Sequence, residues 1–358
     1  MVDPFAPLAM SHGSDWPNRL MLAPLTNQQS HPDGVLSDDE WRWLTMRGEG
    51  GFGVTMTCAS HVQADGIGFP GQLGIWGDRH RDGLTRLAGS LAATGTRAMV
   101  QLHHAGMRTP HALIEGAPVC PSDNDEHGAR ALTRDEIATL EDDFVAAALR
   151  ARQAGFHGVE LHAAHGYLLC QFLSPELNRR ADDYGGSLDN RARLLFDLVA
   201  RVRSECGPDF SLGVRLSPER FGLRLGEIKT VAQRLLHEAQ IDYLDMSLWD
   251  VFKRPQEEGH EARSLLDHFT CLERGAVKLG AAGHVARGAD VYRALEAGLD
   301  FVIIGRSGIL HHDFPKRLRE HRNFEPVARP VSVEHLRTEG LGEAFIDYLR
   351  RSEGFVAP

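Results

Sequence analysis

Only five of the 358 residues are cysteine, Cys58, Cys120, Cys170, Cys206 and Cys271, and no two of them form a CxxC pair. An odd, scattered set excludes a disulfide framework and an iron–sulfur ligand set, and it reads as reduced thiols in a cytoplasmic protein. No apolar run is long enough to span a bilayer, and the opening MVDPFAPLAM has neither the basic start nor the apolar core of a secretion signal. A membrane partner is therefore not expected. A formal net charge of −10 without clustered Lys and Arg argues against a nucleic-acid surface. What remains, 42% hydrophobic and 25% charged residues, is an ordinary globular composition with chain enough for one large barrel or two modest domains.

Short apolar runs alternate with longer amphipathic ones from about residue 19 to residue 320, the pattern of a parallel sheet wrapped by helices. Eight candidate strands are Arg19–Leu25, Gly53–Thr57, Ala98–Leu102, Gly158–Leu161, Ser211–Leu216, Tyr243–Ser247, Val277–Gly280 and Phe301–Ile304. Helical periodicity follows them, for instance over Asp38–Arg47, Thr133–Ala154, Asp189–Glu205, with Asp189 as an N-cap, and Gly226–Ala239. Eight such units predict an α/β fold, a (β/α)8 TIM barrel, as a single domain with long loop insertions at 104–132 and 174–188. One more helix, 332–351, is expected to pack outside the barrel after the proline-flanked linker 326–330.

Most informative is the stretch 158–191, GVELHAAHGYLLCQFLSPELNRRADDYGGSLDNR, in which His162, His165 and Tyr167 directly follow an apolar strand. Strand ends are where α/β barrels keep their chemistry. Two His three apart also suit one helical turn converging on zinc, but no third ligand stands at a tell-tale spacing, so no metal is expected. The GEGGFG segment fits the dinucleotide pattern through Gly48, Gly50 and Gly53, yet it lies between a helix and a strand, the reverse of the order that mechanism needs. It reads as a helix end and tight turn.

Placed on a barrel, the residues that end the strands gather at one mouth. They are Pro24, Leu25 and Thr26; Cys58 and Ala59; Gln101 and His103; His162 and His165; Arg215; Ser247; Gly283; and Gly305 with Arg306. Together they suit a planar polar ring carrying a phosphate. Gln101 offers an acceptor and two donors for the ring edge, Arg215 is a permanent cation, and the turn at Gly305 and Arg306 opens a helix whose N–H groups would meet the phosphate. Gly283 would approach the same group.

In these residues the chain resembles the Old Yellow Enzyme family of FMN-dependent ene reductases. NRLMLAPLTN (18–27), VQLHHAG (100–106), the stretch 158–191, VRLSPE (214–219), SLWD (247–250) and GRSGIL (305–310) carry the resemblance, in order over nearly the whole chain. The resemblance implies non-covalent FMN at the barrel mouth, held by Pro24, Leu25, Thr26, Ala59, Gln101, His162, Arg215, Gly283, Gly305 and Arg306. It also implies NADPH or NADH as transient hydride donor and an activated alkene, an α,β-unsaturated carbonyl or nitro compound, as acceptor in a ping-pong cycle. His162 and His165 would hold the substrate oxygen, and Tyr167, with an ordinary pKa of about 10, would protonate the α carbon. Thr26 would tune the cofactor from the first strand end, while Trp76, Phe69, Trp249 and His103 are further pocket candidates. A homo-oligomer is compatible with the resemblance. Two other readings stand beside it: a different FMN barrel oxidoreductase, of dienoyl-CoA, nitroester or xenobiotic reductase type, and a non-redox barrel enzyme.

Overall fold

A computed structural model describes residues 2–358. Eight parallel strands close into a barrel: β1 (Leu20–Leu22), β2 (Val54–His61), β3 (Arg97–His103), β4 (Gly158–Ala163), β5 (Ser211–Leu216), β6 (Tyr243–Ser247), β7 (Lys278–Ala282) and β8 (Phe301–Ile304), with β8 pairing back onto β1. The eight-stranded (β/α)8 expectation therefore holds. β5, β6 and β8 coincide with the expected bounds. β1 is shorter, because Ala23–Leu25 leave the ladder for the mouth, and β2 runs four residues further, past a register shift between Met56 and Ala59.

Alternation along each strand separates two cores. Outward residues such as Val100, Leu102, Val159, Leu161, Leu244 and Val302 pack with the helices. The lower barrel interior is filled by Met21, Val54, Met56, Met99, Tyr243, Phe301 and Ile303, and Trp16 of the N-terminal segment plugs it, edge-on to Tyr243 at 5.2 Å and to Phe301 at 4.8 Å. Gly213 and Gly280 make this layer possible, since a methyl at either would run into the rings of Tyr243 and Phe301.

Helices start where hydroxyl side chains cap them: Ser37 before Asp38–Glu49, Thr133 in a capping box before Arg134–Gln153, and Ser187 before Leu188–Cys206. The cap of that last helix is thus Ser187 and not Asp189. Gly48 lies in the last turn of Asp38–Glu49 and Gly50 caps it, so GEGGFG is a helix end. The 104–132 insertion carries three short 3-10 turns and a two-residue parallel ladder, Val119–Cys120 with Arg130–Ala131.

The C-terminal segment differs from expectation. Instead of one helix over 332–351 there are two, Val333–Thr338 and Glu343–Arg350, broken at Gly340, whose φ of 83° lies outside helical space. Phe345 of the second helix packs edge-on against Trp43 at 5.0 Å, so the segment joins the outer core. Two histidines pin it: His311 Nε2 accepts the Val327 N–H at 2.9 Å, and His335 Nε2 donates to the Leu310 carbonyl at 2.8 Å. His311, His335 and Glu339 each bring a ligand-type atom within 4.8 Å of the others. With its Nε2 accepting, however, His311 carries its ring proton on Nδ1 and cannot ligate through it while that bond stands. Among the described residues no helix is long and apolar enough to cross a membrane.

Candidate active site

The end of β4 builds the centre of the site. His162 is the fifth residue of the strand and is buried. Its Nδ1 accepts the Ala164 N–H at 3.3 Å, which puts the ring proton on Nε2, a donor with no partner among the described residues. The chain then turns through His165 in the left-handed region, φ 59°, and Gly166, φ 72°, before Leu168–Leu173 begins. The two imidazoles are therefore not neighbours on a helical turn, as zinc spacing would require. They meet edge to face, ring centres 5.0 Å apart at 88°.

Tyr167 closes the group, 5.2 Å from His162 and 4.4 Å from His103, both edge-on, and its hydroxyl makes no hydrogen bond among the described residues. Gln72 fixes His103: its Oε1 accepts Gly68 N–H, so its Nε2 donates to the Ala59 carbonyl and to His103 Nδ1. His165 is less free than the sequence suggested, because its Nε2 shares a 2.7 Å hydrogen bond with Ser247 Oγ. Burial keeps the rings neutral, and the charges of Arg215 and Arg108 add to it, holding the pKa of His165 down at about 3. His162 is depressed by burial, then by His165 and His103. Burial also raises the Tyr167 phenol, with Arg108 opposing.

Beneath this layer lies a polar cluster that the sequence reading missed. Glu160 and Asp245 are fully buried in β4 and β6, inside strands read simply as apolar. Gln101 Nε2 donates to Glu160 Oε1 at 2.7 Å, and Arg215 Nε stands 3.2 Å from Asp245 Oδ2. Register makes these pairs, since Gln101 lies opposite Glu160, His162 opposite Arg215, and Arg215 opposite Asp245. Two carboxylates face one guanidinium, and burial followed by Asp245 pushes Glu160 up to about 8; burial likewise takes Asp245 to about 6, against Arg215. Glu160 Oε2, Asp245 Oδ1 and Arg215 Nε make no hydrogen bonds. The available signal was a charged residue in the inward register of each strand.

The other expected mouth residues fall into place unevenly. Pro24, Leu25 and Thr26 are half-buried just past β1, and Ala59 sits at the β2 irregularity. Gly283 has φ 146°, and a Cβ there would lie 2.8 Å from Trp249 C, so only glycine lets that loop rest on its neighbour. Gly305 and Arg306 follow β8, but the helix after them, Arg306–Leu310, is only five residues long, so an anion site there depends on side chains more than on a helix dipole. Arg306 has no carboxylate partner among the described residues; burial and the nearby charge of Arg329, a residue the sequence did not flag, both depress its pKa. Cys58 points outward into the strand–helix core beside Glu40, away from the mouth. Phe69 is core, and Trp76 packs on His80 and Arg79. His103 and Trp249 pack on the His162, His165 and Tyr167 group, the latter 44% exposed with its ring 6.3 Å from His165. Six non-glycine residues of the mouth loops, Gln28, His165, Arg220, Phe221, Trp249 and His284, have positive φ. Such strain persists only where surrounding structure holds it, and it concentrates at functional sites.

A family model described as NADH:flavin oxidoreductase / NADH oxidase matches residues 3–325. The chain is 34% identical over 358 residues to a probable NADH-dependent flavin oxidoreductase of Bacillus subtilis, covering 96% of this chain and 95% of that one. Among solved structures, morphinone reductase in complex with tetrahydroNAD is similar with a TM-score of 0.80 and 29% identity, covering 97% of each chain. An Old Yellow Enzyme homologue from Zymomonas mobilis aligns with a TM-score of 0.79 and 27% identity over 94% of this chain and 96% of its own. A closed parallel barrel with its polar constellation at one mouth and these likenesses agree: the chain belongs to the NADH:flavin oxidoreductase / NADH oxidase family, as an FMN- and NAD(P)H-dependent oxidoreductase of the Old Yellow Enzyme type.

Proposed function

We propose that the protein reduces the C=C bond of alkenes activated by a carbonyl or nitro group, in a ping-pong cycle driven by NAD(P)H. The observation that carries this reading is the packed group His162, His165 and Tyr167, two neutral imidazoles and a protonated phenol within one turn of chain at the end of β4.

The residues present suit FMN. Arg306 and Arg329 stand together without an acid partner among the described residues, as a phosphate requires, and Gln101 and Arg215 offer an amide and a guanidinium, whose Nε makes no hydrogen bond, for the ring. Pro24, Leu25, Thr26, Ala59, Gly283 and Gly305 would line the same cofactor. When bound, FMN supplies the hydride relay between nicotinamide and alkene. His162 Nε2–H donates to the substrate oxygen, which draws electron density from the double bond toward that oxygen. His165 joins as second donor once its bond to Ser247 is exchanged for the substrate. Tyr167 keeps its proton at neutral pH and delivers it from its hydroxyl to the α carbon. Arg215 holds positive charge where negative charge gathers at the mouth.

Tyr167→Phe tests the assignment. Bleaching of the flavin by NADPH should proceed at the wild-type rate, while reoxidation by a cyclic enone should slow by roughly a hundredfold or more, the usual worth of a general acid. Equal slowing of both halves would overturn it.

A further inference from the structure

Two guanidiniums that form no ion pair among the described residues stand near the His165–Tyr167 turn, one on the turn itself and one over its neighbour Trp249. Arg108, in the loop after β3, donates from Nη1 to the His165 carbonyl, and its Cζ lies 4.7 Å from the centre of the Tyr167 ring. Arg220, in the loop after β5, lies 4.5 Å over the ring of Trp249. Its neighbour Phe221 packs 2.7 Å from where a side chain on Gly166 would begin, so both loops rest against the turn.

The chain has 49 acidic residues against 39 basic ones, and several arginines are paired, Arg191 with Glu227 and Arg203 with Asp242 among them. Arg108 and Arg220 form no ion pair among the described residues. Nearby acids are committed elsewhere: Glu219 takes Lys253 Nζ and the Gln256 N–H, and Asp250 faces His284. Positive charge is thus kept at the rim of a protein whose net charge is −10. A guanidinium held over an aromatic ring can still present N–H groups that match a carboxylate or phosphate. The imidazoles within are neutral and add no charge of their own to the attraction for an anion.

We propose that Arg108 and Arg220 form an anion-binding rim for the molecule seated on His162, taking either a carboxylate borne by the alkene or a phosphate of the nicotinamide donor. The proposal rests on the function given above.

The test compares 4-hydroxybenzoate with 4-hydroxybenzamide, two phenols that differ by one negative charge. The holoprotein is titrated with each, following the visible spectrum, in wild type and in Arg108→Gln, Arg108→Lys, Arg220→Gln and Arg220→Lys. KM for NADPH is measured on the same proteins with ferricyanide as acceptor. Wild type should favour the benzoate about tenfold, as one charge-assisted contact allows. That preference should vanish in the Gln variants, survive in the Lys variants and shrink as salt is raised. Benzamide affinity guards against simple misfolding of the turn. No benzoate preference, together with a KM for NADPH raised only in the Gln variants, assigns the rim to the donor's phosphate. Unchanged benzoate preference and unchanged KM in the Gln variants overturn the rim. Failure of both phenols to bind wild type would count against the imidazole reading, and the KM measurement would still decide the rim.

Discussion

Replacing Glu160 by Gln tests the buried cluster most directly, because Gln mimics the protonated carboxyl in size and still accepts from Gln101 Nε2 through the 2.7 Å contact. Glu160 is fully buried, and burial together with the charge of Asp245 raises its pKa from 4.5 to about 8. Between those limits the native protein holds a proton that the unfolded chain has released. The stability tied to Glu160 is therefore whole below pH 4.5 and drains away as pH rises toward 8. The steepest slope is about 1.4 kcal/mol per pH unit, so pH 5 to 8 has a ceiling of about 4 kcal/mol. Proton sharing with Asp245, across from Arg215, lowers this, and a loss of about 2 to 3 kcal/mol relative to the variant is expected. Urea midpoints at fixed excess FMN, taken at half-unit steps of pH, read it out. Wild type should fall away from Glu160→Gln as pH rises. Parallel curves would refute the reasoning, since they would mean that Glu160 ionises in the native protein as easily as in the unfolded one.

Two further outcomes follow from packing and charge. Gly280→Ala places a methyl into the Phe301 ring at the barrel axis, where neither strand nor ring can retreat, and should lower stability by about 2 to 4 kcal/mol in the same urea assay, as overpacking does at its upper end; a loss below about 0.5 kcal/mol would show that the lower layer is loosely packed. Arg306→Gln and Arg329→Gln should each weaken FMN binding about tenfold or more in a fluorescence titration of the apoprotein, as loss of a charge-assisted phosphate contact implies; an unaltered affinity for Arg329→Gln would remove the C-terminal segment from the phosphate site.

The barrel was legible because strand-helix alternation is a local property. Outward Val, Leu and Ile must cover helices at every one of the eight strands, so β5, β6 and β8 have the bounds that their apolar runs predict. Local capping chemistry explains the helix starts as well, although Ser187 and Asp189 both satisfy the cap pattern and only the path of the loop selects Ser187. The break at Gly340 was hidden, because a glycine late in a helical pattern is tolerated as often as it interrupts.

His162, His165 and Tyr167 could be recognised together because they are close in the chain, and so could the end-of-strand set, because closure of a barrel brings all strand ends to one rim. Partners far apart in sequence were another matter. That Gln101 meets Glu160, that Arg215 stands between His162 and Asp245, and that Ser247 reaches His165 depend on strand register, which no residue states alone. Nothing in the sequence sets Arg108, Arg220 and Arg329 apart from the chain's other arginines. Only the folded loops leave them without ion pairs among the described residues and set them against aromatic rings or another arginine, which is what the proposals above rest on. What composition and periodicity determine is burial by face, a short-range matter of which side chains leave water. The site itself was decided by closure and register, which set the distances between groups that the chain keeps dozens of residues apart.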